Sequence, residues 1–247
     1  MKTRYLAAGV ALACALIMPA SHASISLSAT RVIFDGKNKE ASIVVNNDGS
    51  EVLIQSWLDP LDDANSKAPP FAVTPPLAKV PAKRQQLLRV LYEGVGVPPD
   101  RESALWLNVQ EIPQDAAAEN VLQLAVRQRI KVFYRPAGLK ADPQQAPSSL
   151  QWRLERESGN AVLHVTNSSL YHVTVVDAKW RSGGSDTSVI EARMVAPGGT
   201  ASIPVKLPAT ATAPELRYEI VNDFGGREHF RVTLPTGQSA APVAVEK

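Results

Sequence analysis

The sequence contains a single cysteine, and we expect the exported protein to lose it. Cys14 lies in the apolar run from Leu6 to Met18, after Lys2 and Arg4 and before Ser21-His22-Ala23. This order of charged, apolar and small residues is typical of a secretory signal peptide. The run is shorter than the ~20 residues that a membrane-spanning helix needs. We therefore predict that residues 1–23 are a cleaved signal peptide.

The loss of Cys14 limits the chemistry of the mature chain, which we expect to begin at Ser24. Disulfides, thiolate nucleophiles and cysteine metal sites are all excluded. An exported protein without disulfides must be large enough for its hydrophobic core to stabilise it.

The chain also has little excess charge. Removing Lys2 and Arg4 from the 26 basic residues leaves 24, which equals the number of acidic residues. A nucleic-acid-binding protein normally has a basic excess, so we expect no nucleic-acid partner. Beyond the signal peptide no apolar stretch is long enough to cross a membrane, and we expect no membrane insertion.

Signals for catalysis or metal binding are also few. His164, His172 and His229 lack the short spacings of metal ligands, and the chain has no Gly-x-Ser-x-Gly motif and no phosphate-binding glycine loop. We interpret the three histidines as scattered surface or half-buried residues. A Ser/His/Asp triad built from distant residues stays open at this point. We expect no enzyme, no metal and no cofactor.

The chain has many short segments of alternating apolar and polar residues, separated by turn residues, and few helix signals. Seven strands per ~100 residues are typical of an immunoglobulin-like sandwich. The predicted strands are 25–34, 40–47, 51–58, 71–74, 86–92, 104–110, 121–134, 149–155, 161–166, 171–179, 188–194, 201–207, 215–222 and 228–234.

Two series of seven strands predict an all-β protein with two sandwich domains. The segment 135–149 is rich in proline, alanine and glutamine and has no periodicity, so we interpret it as the connection between domains. The predicted domains are 24–142 and 143–247. We expect residues 236–247 to form a frayed tail.

The segment from Val121 to Pro136 is long for one strand. Its fifteen residues before the proline would extend about 50 Å, whereas most strands have about 5–6 residues. Leu122, Leu124 and Val126 share one face, and basic residues follow on the other. The alternation predicts a strand with an apolar first half and a charged middle.

Several charged residues interrupt apolar strands or directly follow them. Arg31, Arg89 and Lys131 lie within predicted strands, and Asp223 follows another. Each could belong to a solvated face or discourage edge pairing. Two cations near the crevice between domains could instead bind an anion, and a carboxylate is the obvious candidate.

Four segments of the chain together match a known pattern. They are "ATRVIFDGKNKEASIVVNND" (29–48), "TPPLAKVPAKRQQLLRVLY" (74–92), "LWLNVQEIPQDAAAENVLQLAVRQRIKVFYRP" (105–136) and "YEIVNDFGG" (218–226). With these segments the sequence resembles the periplasmic pilus chaperones of the chaperone–usher pathway in Gram-negative bacteria, and the resemblance covers nearly the whole mature chain. It implies two immunoglobulin-like domains in an L or boomerang arrangement.

The resemblance also implies roles for individual residues. A pilus subunit lacks one strand, and the chaperone supplies its long strand to fill the groove. The implied donor side chains are Leu122, Leu124 and Val126, and Arg31 and Lys131 would bind the C-terminal carboxylate of the subunit. Residues implied to line the cleft are Thr30 and Thr174, and an inter-domain charge network would comprise Arg89, Glu102 and Asp223.

The expected partners are pilus subunits and an outer-membrane usher, and the expected location is the periplasm. The short connection "IPQDAAAEN" favours the short-loop subclass, and an exposed donor strand would favour self-capping homodimers in the free protein. The alternatives are an exported immunoglobulin-like binding module that does not serve pilins, and a secreted hydrolase.

Overall fold

The computed structural model describes residues 25–61, 68–112, 125–157, 160–182, 185–207 and 213–245. Within this part of the chain the regular structure is almost entirely β, with one short 3-10 helix at Pro143–Ser149. The strands form four sheets, two in each half of the chain. The prediction of an all-β protein with two sandwich domains is confirmed.

The described residues of the N-terminal domain form nine strands. They are β1 (Ile25–Leu27), β2 (Arg31–Asp35), β3 (Glu40–Asn47), β4 (Val52–Pro60), β5 (Phe71–Thr74), β6 (Leu77–Val80), β7 (Gln85–Tyr92), β8 (Ser103–Ile112) and β9 (Arg127–Arg135). One sheet has the order β1-β3-β7-β5, and the other has the order β2-β9-β8-β4-β6. The β2–β9 pair is parallel.

The C-terminal domain contains the remaining strands. They are β10 (Leu150–Glu157), β11 (Asn160–Asn167), β12 (Val173–Ser182), β13 (Ser185–Val195), β14 (Thr200–Val205), β15 (Glu215–Val221), β16 (Arg227–Thr233), β17 (Ser239–Ala240) and β18 (Val243–Val245). The two sheets have the orders β14-β11-β10-β17 and β13-β12-β15-β16-β18.

Period-two alternation decides which side chains enter each core. In β7, Leu88 and Val90 are fully buried, whereas Leu87, Arg89 and Leu91 on the opposite face are exposed. The same pattern recurs in both domains and produces two separate hydrophobic cores. The alternating sequence therefore fixes the side of each sheet that faces water.

The first predicted strand differs from the observed structure. Residues 25–34 form two strands, because β1 pairs with β3 in one sheet whereas β2 pairs with β9 in the other. This change of sheet leaves Arg31 as the first residue of β2. The structure also contains β6, which was not among the predicted strands. The prediction of a frayed C-terminal tail is corrected, because β17 pairs with β10 and β18 pairs with β16.

The connection between the domains is ordered. The Asp142 side chain accepts a hydrogen bond from Gln144 N and caps the 3-10 helix, and Ala146 and Pro147 are buried. Tyr171 donates its hydroxyl hydrogen to Ala141 O at 2.5 Å. The connection therefore packs against the second domain.

Within the described ranges, no helix is long and apolar enough to cross a membrane.

Candidate functional site

Two cations lie side by side where the first domain meets the second. Arg31 begins β2, and the parallel register pairs it directly with Lys131 of β9. Neighbouring strands lie about 4.8 Å apart, so the two side chains leave the sheet close together. The structure therefore brings together the two residues for which the resemblance implied a carboxylate anchor.

Arg31 reaches into the second domain. Its Nη1 donates to Val221 O at 3.1 Å, and its guanidinium carbon lies 5.8 Å from the centre of the Phe133 ring. Its Nε is buried and has no hydrogen-bond acceptor among the described residues. Burial lowers the pKa of Arg31, and the more distant charges of Asp223 and Glu102 oppose this effect.

Lys131 has an aromatic neighbour. Its Nζ lies 5.2 Å from the centre of the Trp106 ring, and the guanidinium carbon of Arg129 lies 4.4 Å from the same ring. Burial lowers the pKa of Lys131, and the nearby charge of Arg31 lowers it further. Within the described part of the chain, neither Arg31 nor Lys131 forms an ion pair with a carboxylate.

A half-buried cation without a carboxylate is unfavourable, because burial removes water that would otherwise solvate the charge. Two such cations beside each other also repel. A carboxylate between Arg31 and Lys131 would relieve both effects through charge-assisted hydrogen bonds. The chemistry of this cleft therefore suits one carboxylate group.

A second set of charges joins the two domains. Arg135, the last residue of β9, donates from Nε to Glu102 Oε2 at 2.8 Å and from its two terminal nitrogens to Asp223 at 2.7 and 2.8 Å. Burial alone would lower the pKa of Arg135, but hydrogen bonds and charges of Asp223 and Glu102 outweigh burial and raise it. Arg135 is thus a cation with carboxylates on two sides.

Glu102 is the most deeply buried member of this network, with a side chain only 1% exposed. Its backbone N donates to Leu170 O at 2.9 Å. Its Oε1 accepts from the backbone N and from Nδ1 of His172, both at 2.8 Å. Glu102 belongs to the first domain, whereas Leu170 and His172 belong to the second, so one residue links both domains through backbone and side chain.

The structure corrects the predicted position of Arg89. The network contains Glu102 and Asp223 as expected, but the cation between them is Arg135. Arg89 lies on the exposed face of β7, and its Nε is 3.6 Å from Glu40 Oε1. The alternation in "LLRVLY" directs Arg89 away from the core.

Thr30 lies against Gly225 of the second domain, whereas Thr174 lies within β12. Gly225 has φ of 81°, and a Cβ at this position would lie 2.5 Å from Thr30 Oγ1. This close approach and the positive φ both require glycine. Thr174 is 8% exposed although it alternates with the core residues Val173 and Val175 in β12. Their role in lining the cleft stays a prediction.

Of the three predicted donor residues, Val126 lies within the described part of the chain. Leu122 and Leu124 lie outside the described residues. Val126 precedes β9, its side chain is 36% exposed, and its carbonyl accepts a hydrogen bond from Glu111 N at 3.0 Å. Gln128 has the same parity and donates to Ile25 O at 2.7 Å. Gln128, the polar residue that interrupts the apolar series, therefore links β9 to β1 through this hydrogen bond.

Three residues at this site were not predicted as functional: Arg135, His172 and Trp106. Arg135 could have been found, because it shares the parity of Lys131 in the same strand. His172 had no sequence signal, since its contact with Glu102 depends on how the two domains meet.

Among the described residues, no group of three or more acidic, histidine or cysteine residues could hold a metal ion.

Comparisons with known proteins identify the family of this chain. The model for the N-terminal domain of PapD, a pili and flagellar-assembly chaperone, matches residues 24–140. The model for the C-terminal domain of the pili assembly chaperone PapD matches residues 145–231. The chain belongs to the pili assembly chaperone family. This assignment disfavours the alternatives of an unrelated exported binding module and a secreted hydrolase.

Relatives of this pili assembly chaperone span nearly the whole chain. Chaperone protein LpfB of Salmonella typhimurium is 44% identical over 223 residues, which cover 87% of this chain and 91% of LpfB. A probable fimbrial chaperone LpfB of Escherichia coli O157:H7 is 41% identical over 231 residues, which cover 91% of this chain and 94% of that protein.

Solved structures of chaperones have the same fold. A crystal structure of the YadV chaperone has a TM-score of 0.72 at 35% identity and covers 86% of this chain and 100% of its own. A Salmonella enterica structure of the SafA pilin in complex with the SafB chaperone has a TM-score of 0.68 at 25% identity. It covers 92% of this chain and 99% of that chain.

Proposed function

We propose that this chain is a periplasmic chaperone that captures pilus subunits, completes their fold with its own strand and delivers them to an outer-membrane usher. The observation that carries the proposal is the pair of half-buried cations, Arg31 and Lys131, which have no carboxylate partner in the described structure. The chain acts by binding and has no catalytic role. The SafA–SafB complex supports a pilin as partner, since that chaperone shares this fold.

The cleft supplies the first half of the mechanism. Arg31 and Lys131 bind the C-terminal carboxylate of the subunit and so fix where the subunit chain begins to pair. Because side chains in a strand alternate between faces, a shift of one residue would direct every apolar side chain away from the groove. The anchor therefore determines the register of the donated strand.

The segment before β9 supplies the second half. Val126 is exposed in the chaperone, and Leu122 and Leu124 share its parity in the sequence. Burial of each such side chain contributes roughly 1.5–3 kcal/mol, so three contribute about 5–9 kcal/mol before ordering costs. Backbone hydrogen bonds along the added strand would contribute further stabilisation.

Co-expression with the pilus subunits encoded beside this gene tests the proposal. In Arg31→Ala and Lys131→Ala variants, we expect the amount of subunit recovered from the periplasm to fall about tenfold or more, since charge-assisted hydrogen bonds contribute about 1.5–3 kcal/mol. The matched control is Arg217→Ala, which removes an arginine that already has a carboxylate partner, Glu215.

The control should retain subunits at the wild-type amount. Equal recovery with the wild type, both cleft variants and the control would contradict the anchoring function. Equal recovery in cells that lack the chaperone would contradict the chaperone function itself.

A further inference from the structure

Trp106 lies opposite Lys131 in the sheet, on the face that meets the cleft. The two residues are direct register partners in β8 and β9, and the Lys131 Nζ lies 5.2 Å from the ring centre. An ammonium within about 6 Å of an indole ring is attracted to the negative face of the ring. Trp106 is therefore a direct neighbour of the proposed anchor.

The two anchor cations are held differently. Arg31 has the carbonyl of Val221 as an acceptor and also lies near the Phe133 ring. For Lys131, the described residues provide no acceptor and no carboxylate, so the Trp106 ring is its one attractive contact there. A lysine ammonium sits on a flexible four-carbon chain, and its position needs such a contact.

Repulsion by Arg31 makes this contact more important. Arg31 and Lys131 occupy paired positions on adjacent strands, and the charge of Arg31 lowers the pKa of Lys131. Without an opposing attraction, the Lys131 side chain would turn away from Arg31 towards water. The Arg129 guanidinium also lies over this indole, 4.4 Å from the ring centre, so Arg129 is a second cation in contact with the ring that Lys131 meets.

We propose that Trp106 is a positioning residue of the carboxylate anchor: its ring holds the Lys131 ammonium beside Arg31, so that one carboxylate meets both cations. This inference rests on the proposed function and adds a residue that the two-cation anchor does not contain. Trp106 itself does not contact the subunit carboxylate.

A pair of synthetic peptides isolates this effect. Both have the sequence of the last fifteen residues of a pilus subunit encoded beside this gene. One ends in a free carboxylate and the other in an amide. Because only the first carries the terminal charge, the ratio of their dissociation constants measures the anchor and excludes the rest of the peptide. We expect the free-acid peptide to bind the wild-type protein about tenfold or more tightly.

Trp106→Leu should lower this ratio about two- to tenfold, which is the range of a partly exposed cation–π contact. The affinity for the amide peptide should stay within about twofold, since the remaining contacts are unchanged. Trp106→Phe retains an aromatic face and should restore most of the ratio. Trp57→Leu is the matched control, because Trp57 lies in the same sheet and donates to Asp59; its ratio should equal that of the wild type.

The outcomes separate the two claims. A wild-type ratio near one would contradict the carboxylate anchor and with it the anchoring step of the proposed function. A large wild-type ratio that Trp106→Leu leaves unchanged would overturn only the role of Trp106. Equal losses of affinity for the acid and amide peptides in Trp106→Leu would also overturn it, because they would indicate a general structural defect.

Discussion

Cations at the cleft and arginines on the outer face of the C-terminal domain have opposite surroundings. Arg31 and Lys131 are half-buried and have no carboxylate partner among the described residues, and burial lowers the pKa of each. Arg217 and Arg227 are about half exposed and pair with Glu215 and Glu219 at 2.6 and 2.8 Å. Hydrogen bonds with Glu219 and Asp177 raise the pKa of Arg227.

This difference separates two uses of a charged residue in a β-sheet. An exposed arginine beside a glutamate keeps the sheet soluble, and such pairs contribute about 0–1 kcal/mol. A half-buried cation without a partner costs stability, so its presence indicates a ligand that supplies the missing charge. Arg135 is a third case, since it is mostly buried but has two carboxylate partners. Its surroundings suit a structural role.

The largest effect should come from removing the carboxylate of the buried network. Glu102→Ala leaves Arg135 with one carboxylate fewer and His172 without its acceptor. Breaking a buried pair in this way typically costs about 3–5 kcal/mol. We expect urea unfolding to show a loss of this size, with Glu215→Ala as a matched control that loses about 1 kcal/mol or less. Equal losses for the two variants would show that Glu102 is no more important than an exposed glutamate.

The affinity for a C-terminal carboxylate should depend on pH. The pKa of Lys131 lies below its ordinary value, and a carboxylate binds only the protonated ammonium. As the pH rises from 7 towards the lowered pKa of Lys131 and beyond it, Lys131 loses its proton, and the affinity for the free-acid peptide should fall progressively. Arg31 stays protonated over this range.

The amide peptide provides the control for this titration. Its affinity should change little over the same range, because it carries no terminal charge. A constant ratio of acid to amide affinity up to pH 10 would show that Lys131 does not contribute to the anchor.

The smallest effect concerns stability of the free protein. Burial disfavours the charged form of Lys131, so Lys131→Met should raise the melting temperature at pH 7, by about 1–3 °C. The pKa of Lys131 is lowered in the folded protein and is about 10.4 in the unfolded chain. At pH values between these two, the unfolded state binds more protons than the folded state, so the stability of the wild type rises with pH. The difference between the variants should therefore shrink as the pH rises from the lowered pKa of Lys131 towards about 10.4. A lower melting temperature for Lys131→Met at pH 7 would contradict the unpaired state of the cation.

Sequence patterns predicted much of the fold, because burial in a sandwich follows period-two alternation. Leu88 and Val90 in β7, and Leu216 and Ile220 in β15, lie in the cores, each on one face of an alternating strand. The change of sheet after Leu27 was not predicted, since it depends on which strands pair. The short strands near the C-terminus were missed because they have too few residues to show a period.

The candidate site was predictable only in part. Motif resemblance selected Arg31 and Lys131, and the parallel register places them side by side. The same resemblance implied Arg89 as the cation of the charge network, whereas Arg135 takes this position in the structure, and the parity that Arg135 shares with Lys131 was its one sequence signal. His172 and Trp106 contact residues on other strands, and the spacing of residues along the chain does not reveal such contacts.

A crystal structure of this chain with a co-expressed pilus subunit would test the central claim most directly. The decisive quantity is the distance from the terminal carboxylate oxygens of the subunit to the Arg31 guanidinium and the Lys131 ammonium. We predict that both distances are about 2.7–3.0 Å, as in charge-assisted hydrogen bonds. A subunit whose carboxylate lies in solvent or against another part of the chaperone, with Arg31 and Lys131 still unpaired, would contradict the account.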